Sequence, residues 1–299
     1  MYKAGFVAIV GKPNVGKSSF LNKVVGEKIS ITTPKPQTTR FDIRGIVTSK
    51  TSQIVFVDTP GAHMPKHKLG KYMQKGIMDA SQNSDLVLYM VDATRYRLDQ
   101  ISKDTLTQLT QSKAPIILCI NKIDAVSKDK ILDIIHEYSQ YIDSLGSQFC
   151  DIIPISVYNS DGIDILLNSI EKYLPDGEMI YPEDEFTDAT ERQIVEETIR
   201  EKLLRYLKEE VPHGVNVIVN TFKEDDTRCV VDVDIVCIKQ SHKAIIIGKD
   251  GSMIKRIKVQ SKKDIEKTLD KKITLNLWVK VRKDWQEDDN FLKNIKDKI

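Results

Sequence analysis

The chain is poor in the residues that build redox or metal chemistry. Its 299 residues hold four cysteines (Cys119, Cys150, Cys229 and Cys237) and few histidines. No two cysteines form a C-x-x-C pair, so the spacing offers neither a disulfide framework nor a thiolate metal cluster. All four read as reduced, apolar filler. No uncharged apolar stretch reaches the roughly 18 residues that a membrane-spanning helix needs. Met1-Tyr2-Lys3 runs into a strand-like segment rather than a secretory signal. A cytoplasmic protein is expected, with peripheral contact at the membrane face left open. Between Ser241 and Lys272 there is no Phe, Tyr or Trp. A surface that stacks bases on aromatic rings is therefore not expected there.

Charge is scarce only in the sum. The net value is +2, yet Asp176 to Arg200 carries nine acidic and two basic side chains, and Lys239 to Lys283 carries fourteen basic and four acidic. Clustered lysines suit a polyanionic partner; on charge alone a solvated lysine-rich face explains them equally well. Hydrophobic residues at 40% and charged residues at 29% give an ordinary soluble mixture able to bury a core.

Apolar runs mark strands at Phe6 to Val10, Phe41 to Thr48, Gln53 to Val57, Leu86 to Val91, Ile116 to Ile120 and Ile152 to Ile155. Helical patterns follow the first glycine loop at Lys17 to Val25, then lie near Gln100 to Thr110, Lys130 to Leu145 and Ile163 to Leu174. Alternating strands and helices predict an α/β domain over residues 1–175 with a mostly parallel sheet covered on both faces. Residues 176–190 are acidic, contain Pro182 and read as a linker. Residues 191–299 follow a different order: helix Glu191 to Glu209, strands Val215 to Val219 and Val230 to Ile238, helices Ser241 to Ile247 and Ser252 to Lys271, and strand Ile273 to Val281. In the first of these helices Ile194, Ile199, Leu203 and Leu207 fall roughly on one face.

Gly11-Lys12-Pro13-Asn14-Val15-Gly16-Lys17-Ser18 matches G-x-x-x-x-G-K-S between a strand and a helix. In that setting backbone N–H groups and the helix start face phosphate. Gly11, Asn14, Val15, Gly16, Lys17, Ser18 and Ser19 are the phosphate-site candidates. Lys17 is expected on the β and γ phosphates and the Ser18 hydroxyl on Mg²⁺. Asp58-Thr59-Pro60-Gly61 follows a strand, so Asp58 is expected to hold a magnesium-bound water and the Gly61 N–H to sense the γ phosphate. Asn121-Lys122-Ile123-Asp124 follows another strand. The Asp124 carboxylate can accept from guanine N1–H and its exocyclic amine, a pair adenine does not offer. Asn121 is expected to tie this loop to the phosphate loop, with the Lys122 stem over the base. Ser156-Val157 stands where a loop would reach guanine O6. Thr38 and Thr39 are both candidates to complete the Mg²⁺ shell, and the residues do not choose between them. Gly26 to Arg40 is the first switch candidate, an exposed loop with Pro34 and Pro36, and Gly61 to Met78 is the second.

These motifs, with Pro36-Gln37-Thr38-Thr39-Arg40, resemble the Era family of bacterial Ras-like GTPases. Arg200-Glu201-Lys202-Leu203-Leu204-Arg205 and Ile247-Gly248-Lys249-Asp250-Gly251-Ser252 resemble that family's type II KH domain. The resemblance implies GTP and GDP binding and GTP hydrolysis through Lys17, Thr38 or Thr39, and Gly61. It also implies recognition of the 3′ region of 16S rRNA on the small ribosomal subunit, favoured by GTP, and membrane association. A monomer is expected. Where Ras-like proteins often carry a water-orienting glutamine, this chain has Ala62, followed by His63. Slow intrinsic hydrolysis is therefore expected. His63 as a base is weighed against an incidental loop histidine. Asn14 matches an asparagine that relatives use with K⁺, which makes K⁺ stimulation an expectation. The family's usual Ser-Ala is Ser156-Val157 here.

Gly248-Lys249-Asp250-Gly251 is a G-x-x-G loop of the kind that clamps single-stranded RNA. Lys243, Lys249, Asp250, Lys255 and Arg256 are the polar RNA candidates, and an apolar groove is expected around Ile246 and Ile257. Two rivals stay open. One is a membrane-associated signalling or cell-cycle GTPase; the other is an RNA-binding scaffold with GTP as a structural ligand.

Overall fold

The computed structural model describes the whole chain except residues 34, 36, 37, 225–228 and 297–299. Pro34, Pro36 and Gln37 of the first switch candidate thus lie outside the described residues. The contacts divide the chain into two compact units. One is Met1–Ser30, Thr39–Lys66 and Gly70–Asp188; the other is Ile31–Thr38, His67–Leu69 and Ala189–Ile299.

The first unit runs β1 (Lys3–Val10), α1 (Lys17–Val25), β2 (Ile43–Thr48), β3 (Ser52–Asp58), α2 (Lys68–Gln82, whose first residues group with the second unit), β4 (Leu86–Asp92), α3 (Gln100–Leu109), β5 (Ile116–Asn121), α4 (Lys128–Ser144), β6 (Asp151–Pro154) and α5 (Ile163–Tyr173). The sheet order is β2-β3-β1-β4-β5-β6, parallel except for the β2–β3 pair. Every residue of β3, β4 and β5 is buried, because side chains alternate between two covered faces. Leu86, Leu88 and Met90 join Phe20, Leu21, Leu166 and Ile170 in one core, while Val87, Tyr89 and Val91 join Leu106, Ile134 and Tyr138 in the other. Right-handed crossovers around such a sheet bring the loops after its strands to one edge.

The second switch candidate runs into a helix: α2 begins at Lys68 and continues past Met78 to Gln82. Edge strand β2 is covered by the acidic segment: the Ile46 N–H donates to the Phe186 carbonyl at 3.0 Å. The Gln53 carboxamide oxygen also takes the N–H groups of Ile180 and Tyr181. Covering an edge in this way removes a template for aggregation.

The second unit runs α6 (Glu191–Tyr206), β7 (Val215–Glu224), β8 (Cys229–Cys237), α7 (Gln240–Ile247), α8 (Ser252–Leu269), β9 (Ile273–Val281) and α9 (Asp289–Lys296). The helix-strand-strand-helix-helix-strand order is the expected one, with α9 added. β8 is central, antiparallel to β7 and parallel to β9. Helix α6 opens on a capping box in which the Thr190 hydroxyl takes the Gln193 N–H and the Gln193 side chain takes the Thr190 N–H. Its buried apolar face is Val195, Ile199 and Leu203, continued by Leu207 just past its end; Ile194, expected on that face, is only partly covered. The core faces α8 through Ile257 and Ile265. Trp285, beyond β9, is fully buried, its Nε1–H donating to the Gly214 carbonyl at 3.1 Å.

Candidate functional site

Four strand ends meet at one edge of the six-stranded sheet: β1 leads into Gly11–Ser18, β3 ends at Asp58, β5 at Asn121, and β6 precedes Ser156. Helix α1 has Gly16 as its N-cap and no acid in its first turn, so its free N–H groups and positive end are open to an anion. Lys17 is buried and folds back over the loop, donating to the Gly11 carbonyl at 3.0 Å and the Lys12 carbonyl at 3.1 Å. Val15 is buried, whereas Asn14 and Ser19 are exposed.

Asp58 is fully buried and gathers hydroxyls. Its Oδ2 accepts from Ser18 Oγ at 2.6 Å, Ser30 Oγ at 2.9 Å and Thr39 Oγ1 at 3.2 Å. Ser18 Oγ and Thr39 Oγ1 are 3.1 Å apart. Thr38 is elsewhere: its hydroxyl donates to the Lys35 carbonyl at 2.7 Å and pairs with Thr33 Oγ1. Asp58 Oδ1 is buried and, among the described residues, has no hydrogen-bond partner. Burial raises the Asp58 carboxyl pKa, against the opposing pull of Lys17 and the three hydroxyls. Burial also lowers Lys17 to about 8, against the pull of Asp58. A triphosphate beside the lysine and a divalent cation beside the carboxylate would each favour the charged form. The orphaned Oδ1 and the two converging hydroxyls fit a hard cation that takes oxygen ligands.

Ser30 was missed in the sequence. It lies in the loop read as exposed but is fully buried on Asp58. Asn22 of α1 fixes it there: the Asn22 side chain accepts from the Ile29 and Ser30 N–H groups and donates to the Ser30 carbonyl at 2.7 Å. The only signal is a small hydroxyl between two isoleucines in a polar stretch.

Gly61 lies against the phosphate loop. A Cβ there would meet Pro13 N and Cγ at 2.7 Å and Cα at 2.8 Å, so only glycine allows this approach. The Ala62 N–H donates to the Gly11 carbonyl at 3.0 Å, and Ala62 is buried. His63 turns its Nδ1 toward the Gly61 carbonyl at 2.8 Å. Its ring thus engages the backbone of its own loop.

The base side is equally tied. Asn121 Nδ2 donates to the Val15 carbonyl at 2.8 Å, the link to the phosphate loop expected of this residue. The Asn121 side-chain oxygen accepts from the Lys122 and Val157 N–H groups. The Ser156 hydroxyl donates to Asp124 Oδ1 at 2.5 Å, leaving the exposed Asp124 carboxylate oriented. The Lys122 ammonium donates to the Asn14 carbonyl at 2.9 Å and to Asp92 at 2.5 Å.

In the second unit Gly248–Gly251 joins α7 to α8. Gly248 and Gly251 have φ of 73° and 72°, and Asp250 has 51°. A Cβ on Gly248 would meet Met253 Cβ at 2.7 Å, so this corner needs glycine. Lys249, Asp250, Lys255 and Arg256 are exposed, and Lys243 is partly so. The Arg256 guanidinium lies 4.2 Å from the centre of the Tyr206 ring. The groove expected around Ile246 and Ile257 is corrected: both are fully buried in the core. In a helix the neighbouring residue turns about 100°, and Ile245, 47% exposed, is the isoleucine that faces out.

Residues 6–122 match the family model for 50S ribosome-binding GTPases, and residues 210–286 match that for KH domains. The chain is 47% identical to GTPase Era of Ruminiclostridium cellulolyticum over 295 residues, covering 98% of this chain and 97% of that one. It is 45% identical to GTPase Era of Clostridium tetani over 296 residues, 99% of each chain. Among solved structures it is similar to Era in complex with MgGDPNP and nucleotides 1506–1542 of 16S ribosomal RNA, with TM-score 0.92, 35% identity and 98% of each chain covered. A single-residue variant of Aquifex aeolicus Era bound to GDP·AlF4⁻ matches with TM-score 0.91 and 35% identity, over 97% of this chain and 98% of that one.

Proposed function

Because the chain belongs to the Era family of GTPases, we propose that it is a GTP-driven switch that binds the 3′ region of 16S rRNA and assists maturation of the small ribosomal subunit. The observation that carries this is the presence, in one chain, of the phosphate, magnesium and guanine motifs in one unit and a KH fold with its G-x-x-G loop in the other. The similarity to Era holding nucleotides 1506–1542 supports the RNA.

Lys17 and the α1 N–H groups bind the phosphates, and Asp124, oriented by Ser156, reads the guanine edge. Ser18 and Thr39 are the residues we assign to Mg²⁺, with Asp58 acting through water; the convergence of the three supports this. When bound there, the ion draws charge from the β and γ phosphates. The N–H of Gly61 orients toward the terminal phosphate. With Ala62 in place of a glutamine and His63 held by a backbone carbonyl, turnover is slow and relies on these donors. Asn14 would help hold K⁺ near the phosphates, where its charge would speed hydrolysis. Lys249, Lys255 and Arg256 meet RNA phosphates, while Gly248 and Gly251 let the strand approach.

The protein acts as a monomer in the cytoplasm. Among the described residues no helix is long and apolar enough to cross a membrane, and contact with the membrane face is peripheral.

The deciding test measures affinity for single-stranded 16S rRNA 3′-end RNA at stated salt, with a GTP analogue, GDP or neither. Tighter binding with the analogue, lost on Gly248→Asp, is expected. Equal affinity in all three states would remove the switch. Hydrolysis rates in KCl and NaCl at matched ionic strength test K⁺; equal rates would remove it. Cosedimentation with separated subunits distinguishes binding to the small subunit from binding to the large one, which the matched 50S ribosome-binding GTPase family would suggest.

A further inference from the structure

Lys122 leaves the strand at a φ of 67°, a left-handed conformation uncommon for a residue with a side chain. Its ammonium is nonetheless fixed. It reaches the Asn14 carbonyl at 2.9 Å on the phosphate loop and Asp92 Oδ2 at 2.5 Å. Asp92 is the last residue of β4, directly beside Asn121 of β5 in the sheet register. The Ala93 N–H donates to the Asn121 carbonyl at 2.9 Å. The Asp92 side chain is 8% exposed and that of Lys122 is 38%. The second Asp92 oxygen accepts from the Thr94 N–H at 2.9 Å and the Thr94 hydroxyl at 2.7 Å. Burial works against its charge, but the hydrogen bonds of Lys122 and Thr94 hold the carboxyl below its ordinary range.

We infer that Asp92 is a positioning residue for the guanine nucleotide: it anchors the Lys122 ammonium so that the lysine stem and the phosphate loop keep the spacing that base and phosphates require. The inference rests on the guanine-nucleotide reading of the site. Without Asp92 the ammonium keeps a single carbonyl partner, and a strained backbone position loses the contact that holds its side chain. A lysine of the phosphate loop itself gives the contrast. Lys12 donates to Asp99 at 3.1 Å, but the Asp99 side chain is 47% exposed and chiefly caps α3 through the Ser102 N–H. Solvent screens that pair, and it does not touch the base-side loop.

The test uses the full chain. GDP dissociation constants and rates, and KM and kcat for GTP, are measured for the wild type, Asp92→Asn, Asp92→Glu, Lys122→Met and the Asp92→Asn/Lys122→Met double variant. Nucleotide-free melting temperatures are recorded beside them. Asp92→Asn weakens GDP about tenfold, as expected for losing a hydrogen bond between charged groups, chiefly through faster dissociation. KM rises while kcat holds. Asp92→Glu restores most of the affinity, and Asp92→Asn costs nothing further once Lys122 is Met. Unchanged GDP affinity in Asp92→Asn overturns the inference. So does the same loss on the Lys122→Met background, or a loss that only follows a lower nucleotide-free melting temperature. Failure of the wild type to bind GDP would instead overturn the site reading beneath it.

Discussion

The two candidate sites are built on opposite plans. The nucleotide site draws on residues from Gly11 to Val157, and its central polar groups Lys17, Asp58, Asn121 and Ser156 are all buried. Each is held by other parts of the first unit before any ligand is considered. The RNA face comes from one continuous stretch, Lys243 to Arg256, and most of its polar side chains are exposed. Donors fixed in a water-poor setting keep their geometry and interact strongly. Exposed lysines around a glycine corner contribute weaker, salt-screened and partly interchangeable contacts. One replacement should therefore disable the first site, whereas the second should lose affinity in steps.

The largest expected effect tests the first half of that contrast. Asp124→Asn keeps the shape but exchanges one acceptor oxygen for an amide donor, which opposes the guanine N1–H and amine. GTP affinity should fall by at least a hundredfold, about 3 kcal/mol or more. A xanthine nucleotide, with a carbonyl in place of the amine, should regain part of it. Equilibrium binding of both nucleotides checks this; retained GTP affinity would mean that guanine is read elsewhere.

A pair of neighbours tests the second half. Ile246→Ala removes a fully buried side chain from the second core and should cost about 2–4 kcal/mol of stability. Ile245→Ala, on the exposed side, should change stability by less than about 0.5 kcal/mol and weaken RNA binding. Melting curves and RNA titrations separate them. Equal destabilisation by both would contradict the assignment of one residue to the core and the other to the surface.

The same contrast explains what could be read in the sequence. Strands β3, β4 and β5 declare themselves because two-sided burial leaves unbroken apolar runs, and the phosphate and guanine motifs because their chemistry tolerates few residue types. Helix α2 was hidden by the switch motif that precedes it, and α9 by a short, charged C-terminal pattern. Ser30 could not be found, since its position on Asp58 is set by Asn22, a contact between an ordinary helix residue and a loop. Ile246 was misplaced because three successive isoleucines give no periodicity to separate the core face from the outer one. For Thr38 and Thr39 the sequence offered two equivalent hydroxyls, and only the loop's path distinguishes them.

Ser30 gives the next effect in size and asks how far the buried plan extends. Asp58 Oδ2 accepts three hydroxyls, and Ser30→Ala removes one without adding bulk. Losing a buried hydrogen bond to a carboxylate should cost about 1.5 kcal/mol. The nucleotide-free melting temperature should fall, and more Mg²⁺ should be needed for half-maximal hydrolysis. A lower melting temperature with an unchanged Mg²⁺ requirement would make Ser30 a prop of the fold alone.

The smallest effect lies outside both sites and calibrates the others. Thr190 caps α6 on the surface, 3.3 Å from the Gln193 N–H, and Gln193 returns the contact to the Thr190 N–H at 2.6 Å. Thr190→Ala breaks this reciprocal pair and should cost about 1 kcal/mol. Since α6 packs on α8 through Ile199, Leu203 and Ile257, the loss should appear as a slightly lower melting transition of the second unit. GDP affinity should not change, because Thr190 touches none of the nucleotide residues. RNA affinity should also hold under conditions where the domain stays folded, because the glycine corner is set locally at Gly248 and Met253. If RNA binding fell as far as it does with Ile245→Ala, the face would depend on the stability of the whole second unit rather than on its exposed side chains. The contrast between a site of buried, held groups and a face of exposed side chains would then have to be redrawn.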